Sequence, residues 1–222
     1  MTPDDSYARN SAENADGNPG ADFDVVVLAG GSARRLGGAD KPAVEIAGIP
    51  LLDRVLDACA GAASVVVVGP RRPTVGAVRW TREEPPGGGP VPALAAGLAL
   101  GSSALVVVLA ADLPFLDSSG IRVLLASLSP DTDSAVYTDA RGKDQPLAAV
   151  YRRPALESVI AAITELSNSR LNSILGGLSV TRVPDIRGVA ADCDTWDAVA
   201  EARRLLATSD ETGEDGRHGR HH

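Results

Sequence analysis

Short runs of apolar residues recur along the chain, separated by stretches in which apolar side chains fall at helical spacing. Val25 to Ala29, Val65 to Val68 and Leu105 to Ala110 are apolar at every position, the pattern of strands buried on both faces of a parallel sheet. Shorter strands are predicted at Ala77 to Trp80, Ala135 to Thr138, Leu147 to Tyr151 and Ser179 to Val183. Pro50 opens a helix whose face is Leu51, Leu52, Val55, Leu56 and Cys59, and a small-residue helix runs from Val91 to Leu100. Further helices are predicted from about Ser119 to Leu128, near 154–165 and 170–175, and in a final amphipathic stretch to Leu206. Strands alternating with helices imply one α/β domain over residues 23–206: a three-layer, Rossmann-like, mostly parallel sheet with helices on both faces. Residues 1–22 and 207–222, poor in apolar side chains, read as disordered tails.

In such sheets ligands bind beyond the carboxyl ends of the strands. The first strand discharges into a loop holding Gly30, Gly31, Gly37 and Gly38 with Arg34, Arg35 and Lys41 among them. Glycines let backbone N–H groups approach a ligand closely and the cations attract an anion, a combination suited to phosphate. The spacing fits neither a P-loop nor a dinucleotide fingerprint. Arginine outnumbers lysine 19 to 2, yet one lysine sits here, where a compact point charge differs from a guanidinium fork. The third strand ends in Ala111-Asp112-Leu113-Pro114, so Asp112 follows an unbroken apolar run. A carboxylate there needs compensation. A Mg²⁺ ion bridging nucleotide phosphates is one form, and a cap on the following turn is the plainer alternative. Asp194 is a second candidate ligand, although Asp194 or Thr195 can equally N-cap the last helix. A second glycine-rich loop, Pro85 to Pro90, leads into the small-residue helix.

Composition narrows the chemistry. The formal charge of −8 sits largely in the tails, because residues 1–22 carry −4 and residues 207–222 carry −2, leaving about −2 on the body. No basic patch suggests nucleic acid, and no apolar run suggests a membrane span or leader, so a cytoplasmic protein is expected. All three histidines, His218, His221 and His222, are in the C-terminal tail, which excludes Ser-His-Asp and Cys-His catalysis from the body. Cys59 reads as core packing, and Cys193, between Asp192 and Asp194, is a poor nucleophile. Trp80 and Trp196 read as packing anchors or base-stacking rings, Lys143 as a solvated turn residue, and Arg152-Arg153 as an exposed pair or a second phosphate site.

Leu28-Ala29-Gly30-Gly31, Arg35-Leu36-Gly37-Gly38 and Asp40-Lys41 resemble the L-A-G-G-x-x-x-R-M-G-x-x-D-K signature of the nucleotidyltransferases that make the molybdenum guanine dinucleotide cofactor, with Leu36 in place of Met. Ala111 to Pro114 resembles their metal-binding Asp motif, Gly89-Pro90 with Ala93 to Gly97 their base-proximal loop, and Gln145-Pro146-Leu147 through Tyr151-Arg152 their substrate side. Asp192-Cys193-Asp194-Thr195 matches a turn that usually carries Asn-x-Asn-Thr. The resemblance implies a nucleotide-diphospho-sugar transferase type of fold, with Mg²⁺ on Asp112 and Asp194. Arg35, Lys41 and Asp112 would be catalytic. Nucleotide contacts would come from Leu28, Ala29, Gly30, Gly31, Lys41, Gly69, Glu84, Gly89, Pro90 and Asp112; Gly69 replaces a polar residue and offers backbone only. The implied partners are GTP, a molybdopterin phosphate and the apo-proteins of molybdoenzymes. CTP on the same pterin, another nucleotide on a sugar or alcohol phosphate, and a non-catalytic carrier remain open. Gly30-Gly31 and Asp40-Lys41 favour GTP, since CTP-using relatives more often show Leu-Ala-Ala-Gly.

Overall fold

The computed structural model describes residues 23–30, 40–163 and 171–214, with side chains described as far as Ala207 in the last segment. In chain order the strands are β1 (Phe23–Leu28), β2 (Glu45–Ile46), β3 (Ile49–Pro50), β4 (Ser64–Val68), β5 (Arg79–Thr81), β6 (Leu105–Ala110), β7 (Ser134–Thr138), β8 (Asp144–Arg152) and β9 (Val180–Pro184). The helices are α1 (Leu51–Ala58), α2 (Pro90–Leu98), α3 (Ser118–Ser127), α4 (Arg153–Ala162), α5 (Leu171–Leu175) and α6 (Trp196–Glu214). Seven strands form one sheet in the order β5-β4-β1-β6-β8-β7-β9. Among them β8 alone runs antiparallel to its neighbours.

The sheet is buried on both sides because its central strands are apolar at every position past Asp24 in β1 and Ser64 in β4 and throughout β6. Val25, Val27, Val67, Val107 and Leu109 face α1 and α3. Val26, Val66, Val68, Val106 and Val108 face α2, α4 and α5. A smaller third cluster forms where α6 packs Val199 and Ala202 on Ile46, Leu51 and Cys193. After β1 the chain builds outward through β4 to β5, then returns to place β6 on the other side of β1. That reversal opens a crevice above the carboxyl ends of β1 and β6.

Three elements depart from the sequence expectation. The β2–β3 hairpin turns through Ala47 and Gly48, both at positive φ (50° and 74°), and Ala-Gly lacks the Asn-Gly signal of such turns. β8 starts at Asp144 rather than Leu147. Pro146 is tolerated there because the β7–β8 register slips between Val136 and Tyr137, so no ladder N–H is required of it. α6 continues past Leu206 to Glu214, into what reads as the tail 207–222, because residues 207–212 hold neither Gly nor Pro to interrupt it. The tail 1–22 lies outside the described residues.

At the amino end of the sheet Arg153 and Asp24 form a buried pair, Nη2 to Oδ2 2.6 Å. Arg153 also donates to the Ser103 and Leu98 carbonyls, at 2.6 and 2.9 Å. Asp24 accepts from Ser64 Oγ and from the Ser102 and Ser103 amides. With every polar atom partnered, the pair fixes β1 to the start of α4. No helix among the described residues is long and apolar enough to cross a membrane.

Candidate active site

The chain is brought together at the switch point by strand ends. Ala29 donates to the Val68 carbonyl (2.8 Å) and Ala111 to the Leu28 carbonyl (3.2 Å), which places the β1, β4 and β6 loops side by side. Gly69 donates to Thr81 at 3.0 Å, so the 82–89 loop leaves the same edge. A Cβ on Gly69 would lie 2.8 Å from the Ala29 carbonyl carbon and oxygen. No side chain can stand here in this backbone, because only glycine permits that approach. Gly30 is exposed, with open space at its Cβ position.

Lys41 opens a 3-10 turn, Lys41–Ala43, beyond the glycine loop. Its ammonium contacts the carboxylates of both Asp112 and Asp194. These come from the loop after β6 and the turn before α6, which are tied together by a hydrogen bond from the Cys193 amide to the Asp112 carbonyl (3.2 Å). Lys41 and Asp112 side chains are 15% and 12% exposed and Asp194 is 48% exposed, so the ammonium and one carboxylate are largely covered while the other carboxylate reaches solvent. Burial alone would lower the Lys41 pKa, but Asp112 and then Asp194 outweigh it and raise it, which keeps the ammonium charged across the physiological range. Asp192 is pushed above its ordinary value by desolvation and by the Asp194 and Asp112 charges, partly offset by Lys41. The buried Cys193 thiol is pushed up to about 11, first by desolvation and then by Asp112, so it is inert as a nucleophile.

The cap alternatives resolve. Thr195 caps α6, its Oγ1 accepting from Ala198 N at 3.2 Å, while Asp194 turns to Lys41. Asp117, not Asp112, caps α3, accepting from Gly120 N at 2.7 Å. Gly89, at φ +103°, precedes Pro90 at the first turn of α2. Glu84 is exposed, and its neighbour Glu83 accepts from the Gly87 amide at 2.8 Å, holding the second glycine loop. Because β8 is antiparallel, Gln145 and Pro146 lie at the active-site edge. Arg152 pairs with Leu105 at the opposite end of the sheet. Arg152 donates to the Thr132 and Ser129 carbonyls and Arg153 to Asp24, so neither can receive a phosphate at this site. Trp80 packs partly buried against the α1-side core, Trp196 is 49% exposed, and Lys143 is exposed in the β7–β8 turn. Gly31 and Arg35 lie outside the described residues.

Arg72 is a site residue that the sequence alone did not suggest. It holds Asp40 through Nη2 to Oδ1 (2.7 Å) and Nε to Oδ2 (3.2 Å), and donates from Nη1 to the Ala29 carbonyl (3.3 Å). The available signal was position: an arginine four residues past a strand that neighbours β1.

A largely covered lysine and two carboxylates meet at the switch point of a mostly parallel sheet, beside Gly30 and the end of β1, with no nucleophile among these groups: the arrangement of an α/β protein that holds its ligand beyond the strand ends. The chain belongs to the MobA-like NTP transferase family, whose domain pattern matches residues 25–183. A relative from Natronomonas pharaonis, named a probable molybdenum cofactor guanylyltransferase, is 29% identical over 162 residues, 69% of this chain and 79% of the relative. The crystal structure of molybdopterin-guanine dinucleotide biosynthesis protein A from Archaeoglobus fulgidus superposes with a TM-score of 0.67 at 21% identity, covering 83% of this chain and 99% of that one. The 2-C-methyl-D-erythritol 4-phosphate cytidylyltransferase of Thermus thermophilus gives a TM-score of 0.64 at 19% identity over 83% of this chain and 98% of its own. The two structural likenesses establish the nucleotide-diphospho-sugar transferase fold; they do not separate the substrates.

Proposed function

We propose that this protein transfers GMP from GTP to the terminal phosphate of molybdenum-loaded molybdopterin, forming molybdenum guanine dinucleotide and pyrophosphate. The observation that carries the reading is the Lys41 ammonium held between Asp112 and Asp194 where the glycine loop ends. The guanylyltransferase name of the Natronomonas relative supports the choice of reaction.

In the proposed reaction an oxygen of the pterin's terminal phosphate bonds to the α-phosphorus of GTP. The bond from that phosphorus to the bridging oxygen breaks, and its electron pair leaves on pyrophosphate. Such chemistry needs positioning and charge neutralisation rather than a protein nucleophile. Backbone amides around Gly30 and Gly31 and the cations Lys41 and Arg35 would hold the triphosphate and balance charge moving onto pyrophosphate, while Gly69, whose amide is taken by the Thr81 carbonyl, would offer only close backbone approach. Gly89 and Pro90, at the start of α2, would border the base, and Gln145 the pterin side.

Both carboxylates reach one ammonium, so their oxygens converge on one point, a hard-oxygen donor pair suited to Mg²⁺. Among the described residues no group of three or more His, Cys, Asp or Glu could hold a metal by itself. A metal here would therefore share Asp112 and Asp194 with the phosphates of the nucleotide. When bound it supplies positive charge to the leaving phosphates. Lys41 would then exchange carboxylate oxygens for phosphate oxygens. The dinucleotide product is one that a molybdoenzyme apo-protein would receive.

A thermal-shift panel of GTP, CTP, ATP and UTP, with and without Mg²⁺, tests the nucleotide. A ligand of the folded state raises its stability by mass action. A shift confined to GTP with Mg²⁺ is expected; a shift for CTP or UTP instead would keep the loop chemistry and overturn the named reaction.

A further inference from the structure

We infer that Arg72 is a positioning residue for Lys41, acting through Asp40. The inference rests on the reading that Lys41 serves the nucleotide phosphates, and extends it to what holds Lys41 in place. The 3-10 turn that starts at Lys41 receives no side-chain cap from Asp40, its preceding residue. The Asp40 carboxylate instead takes a two-pronged grip from Arg72, at 2.7 and 3.2 Å, while the third nitrogen of the guanidinium reaches the Ala29 carbonyl at 3.3 Å. One side chain thus ties the residue before Lys41 to the end of β1. The other end of the turn is held by backbone bonds, Ala43 to the Asp40 carbonyl (2.9 Å), Val44 to the Lys41 carbonyl (3.1 Å) and Leu51 to the Val44 carbonyl (2.9 Å).

Exposed ion pairs contribute little, because both side chains give up freedom in water. Arg72 differs in being only 12% exposed on its side chain, although Asp40 is 55% exposed. Its planar fork matches a carboxylate in a way an ammonium does not. Arg72 lines a surface hollow with Arg71, Thr74, Gly76, Val78 and Trp80 among others, and no acid among the described residues lines it; Asp40 is the carboxylate that Arg72 grips. With the Lys41 backbone fixed on both sides, the four-carbon stem delivers Nζ between Asp112 and Asp194. Without the grip, that placement is left to a flexible side chain.

The chain has two lysines, Lys41 and Lys143, and Lys143 is exposed, which supplies an internal reference. Nucleotide-free protein is treated with an amine-acylating ester and modification is followed residue by residue by mass spectrometry. Lys41 in the wild type should react more slowly than Lys143. In Arg72→Gln and, separately, in Asp40→Asn, the Lys41 rate should rise about fivefold while Lys143 is unchanged, and the double variant should add nothing further, as for two groups acting as one unit. An unchanged Lys41 rate in the variants overturns the inference. Should Arg72→Gln fail to fold, the Asp40→Asn rate decides alone. This arm needs no nucleotide, so it stands or falls separately from the guanylyl-transfer reading. The second arm measures Mg-GTP affinity: Arg72→Gln should weaken it about tenfold, and should weaken it no further on a Lys41→Met background. Equal losses on both backgrounds would make Arg72 a direct phosphate contact and overturn the positioning role.

Discussion

Among the described residues, Lys41 and Arg153 each meet a buried carboxylate, Asp112 and Asp24, and their positions give them different tasks. Lys41 meets Asp112 and Asp194 at the carboxyl edge of the sheet, while Arg153 meets Asp24 at the other end. Asp112→Asn should reduce transfer by about a hundredfold or more, the scale of losing one preorganised electrostatic group, with little change in melting temperature; steady-state assay beside calorimetry checks both. Arg153→Met should do the reverse. It leaves Asp24 buried without its charge partner and should cost about 3–5 kcal/mol of stability, with KM for nucleotide unchanged, as chemical denaturation and kinetics would show. Asp112 and Lys41 were legible in the sequence because each stands beside an unmistakable strand end or glycine loop. Arg72 and Arg153 were not, because their partners lie 32 and 129 residues away and only strand register brings them together.

The acid limb of stability also belongs to single residues. Burial raises the pKa of Asp24, but Ser64 and the Ser102 and Ser103 amides outweigh it and hold it below its ordinary value. For Asp117, Arg187, Ser119 and the Gly120 amide overcome desolvation and bring it to about 2. A carboxyl depressed in the folded state stabilises fully above its unfolded pKa of about 3.9, and that contribution fades as pH falls through the folded value. Urea midpoints should therefore be flat for these groups above about pH 5 and decline from about pH 4 toward 2. Asp117→Asn should make the decline shallower, modestly so because the pair with Arg187 is half exposed.

Among the elements, β1, β4 and β6 were readable because a strand buried on both faces leaves an uninterrupted apolar run. The orientation of β8 and the β2–β3 hairpin were not readable, because strand direction and a positive-φ Ala-Gly turn leave no periodic trace. α2 was readable from its small residues, and the structure gives their reason. A Cβ on Gly97 would lie 2.5 Å from Val26 Cγ1 and 2.9 Å from Val68 Cγ2, so the helix rides directly on the sheet. Both neighbours are β-branched and have little rotamer freedom to yield. Gly97→Ala should destabilise by about 1–3 kcal/mol through overpacking, despite the better helix propensity of alanine, and a lower midpoint of chemical denaturation would register it. Because α2 starts at the second glycine loop, a shifted helix should also weaken nucleotide binding.

At the scale of the molecule, the sheet order places every described residue of the proposed site at one edge and leaves the opposite edge to structural pairing. The family pattern ends at residue 183. Asp194 and α6 lie beyond it, and the small core of Ile46, Leu51, Cys193, Val199 and Ala202 anchors them to the hairpin that follows Lys41. One crevice is therefore closed by residues from the first and last parts of the described chain. The most direct test of its function is to supply purified protein with molybdenum-loaded molybdopterin, Mg²⁺ and GTP labelled at the α-phosphorus, and to follow the label and pyrophosphate together. Label entering a dinucleotide with one pyrophosphate released per transfer, and lost in Asp112→Asn, is the expected result. Label remaining in GTP, while CTP or no nucleotide at all is consumed, would contradict guanylyl transfer.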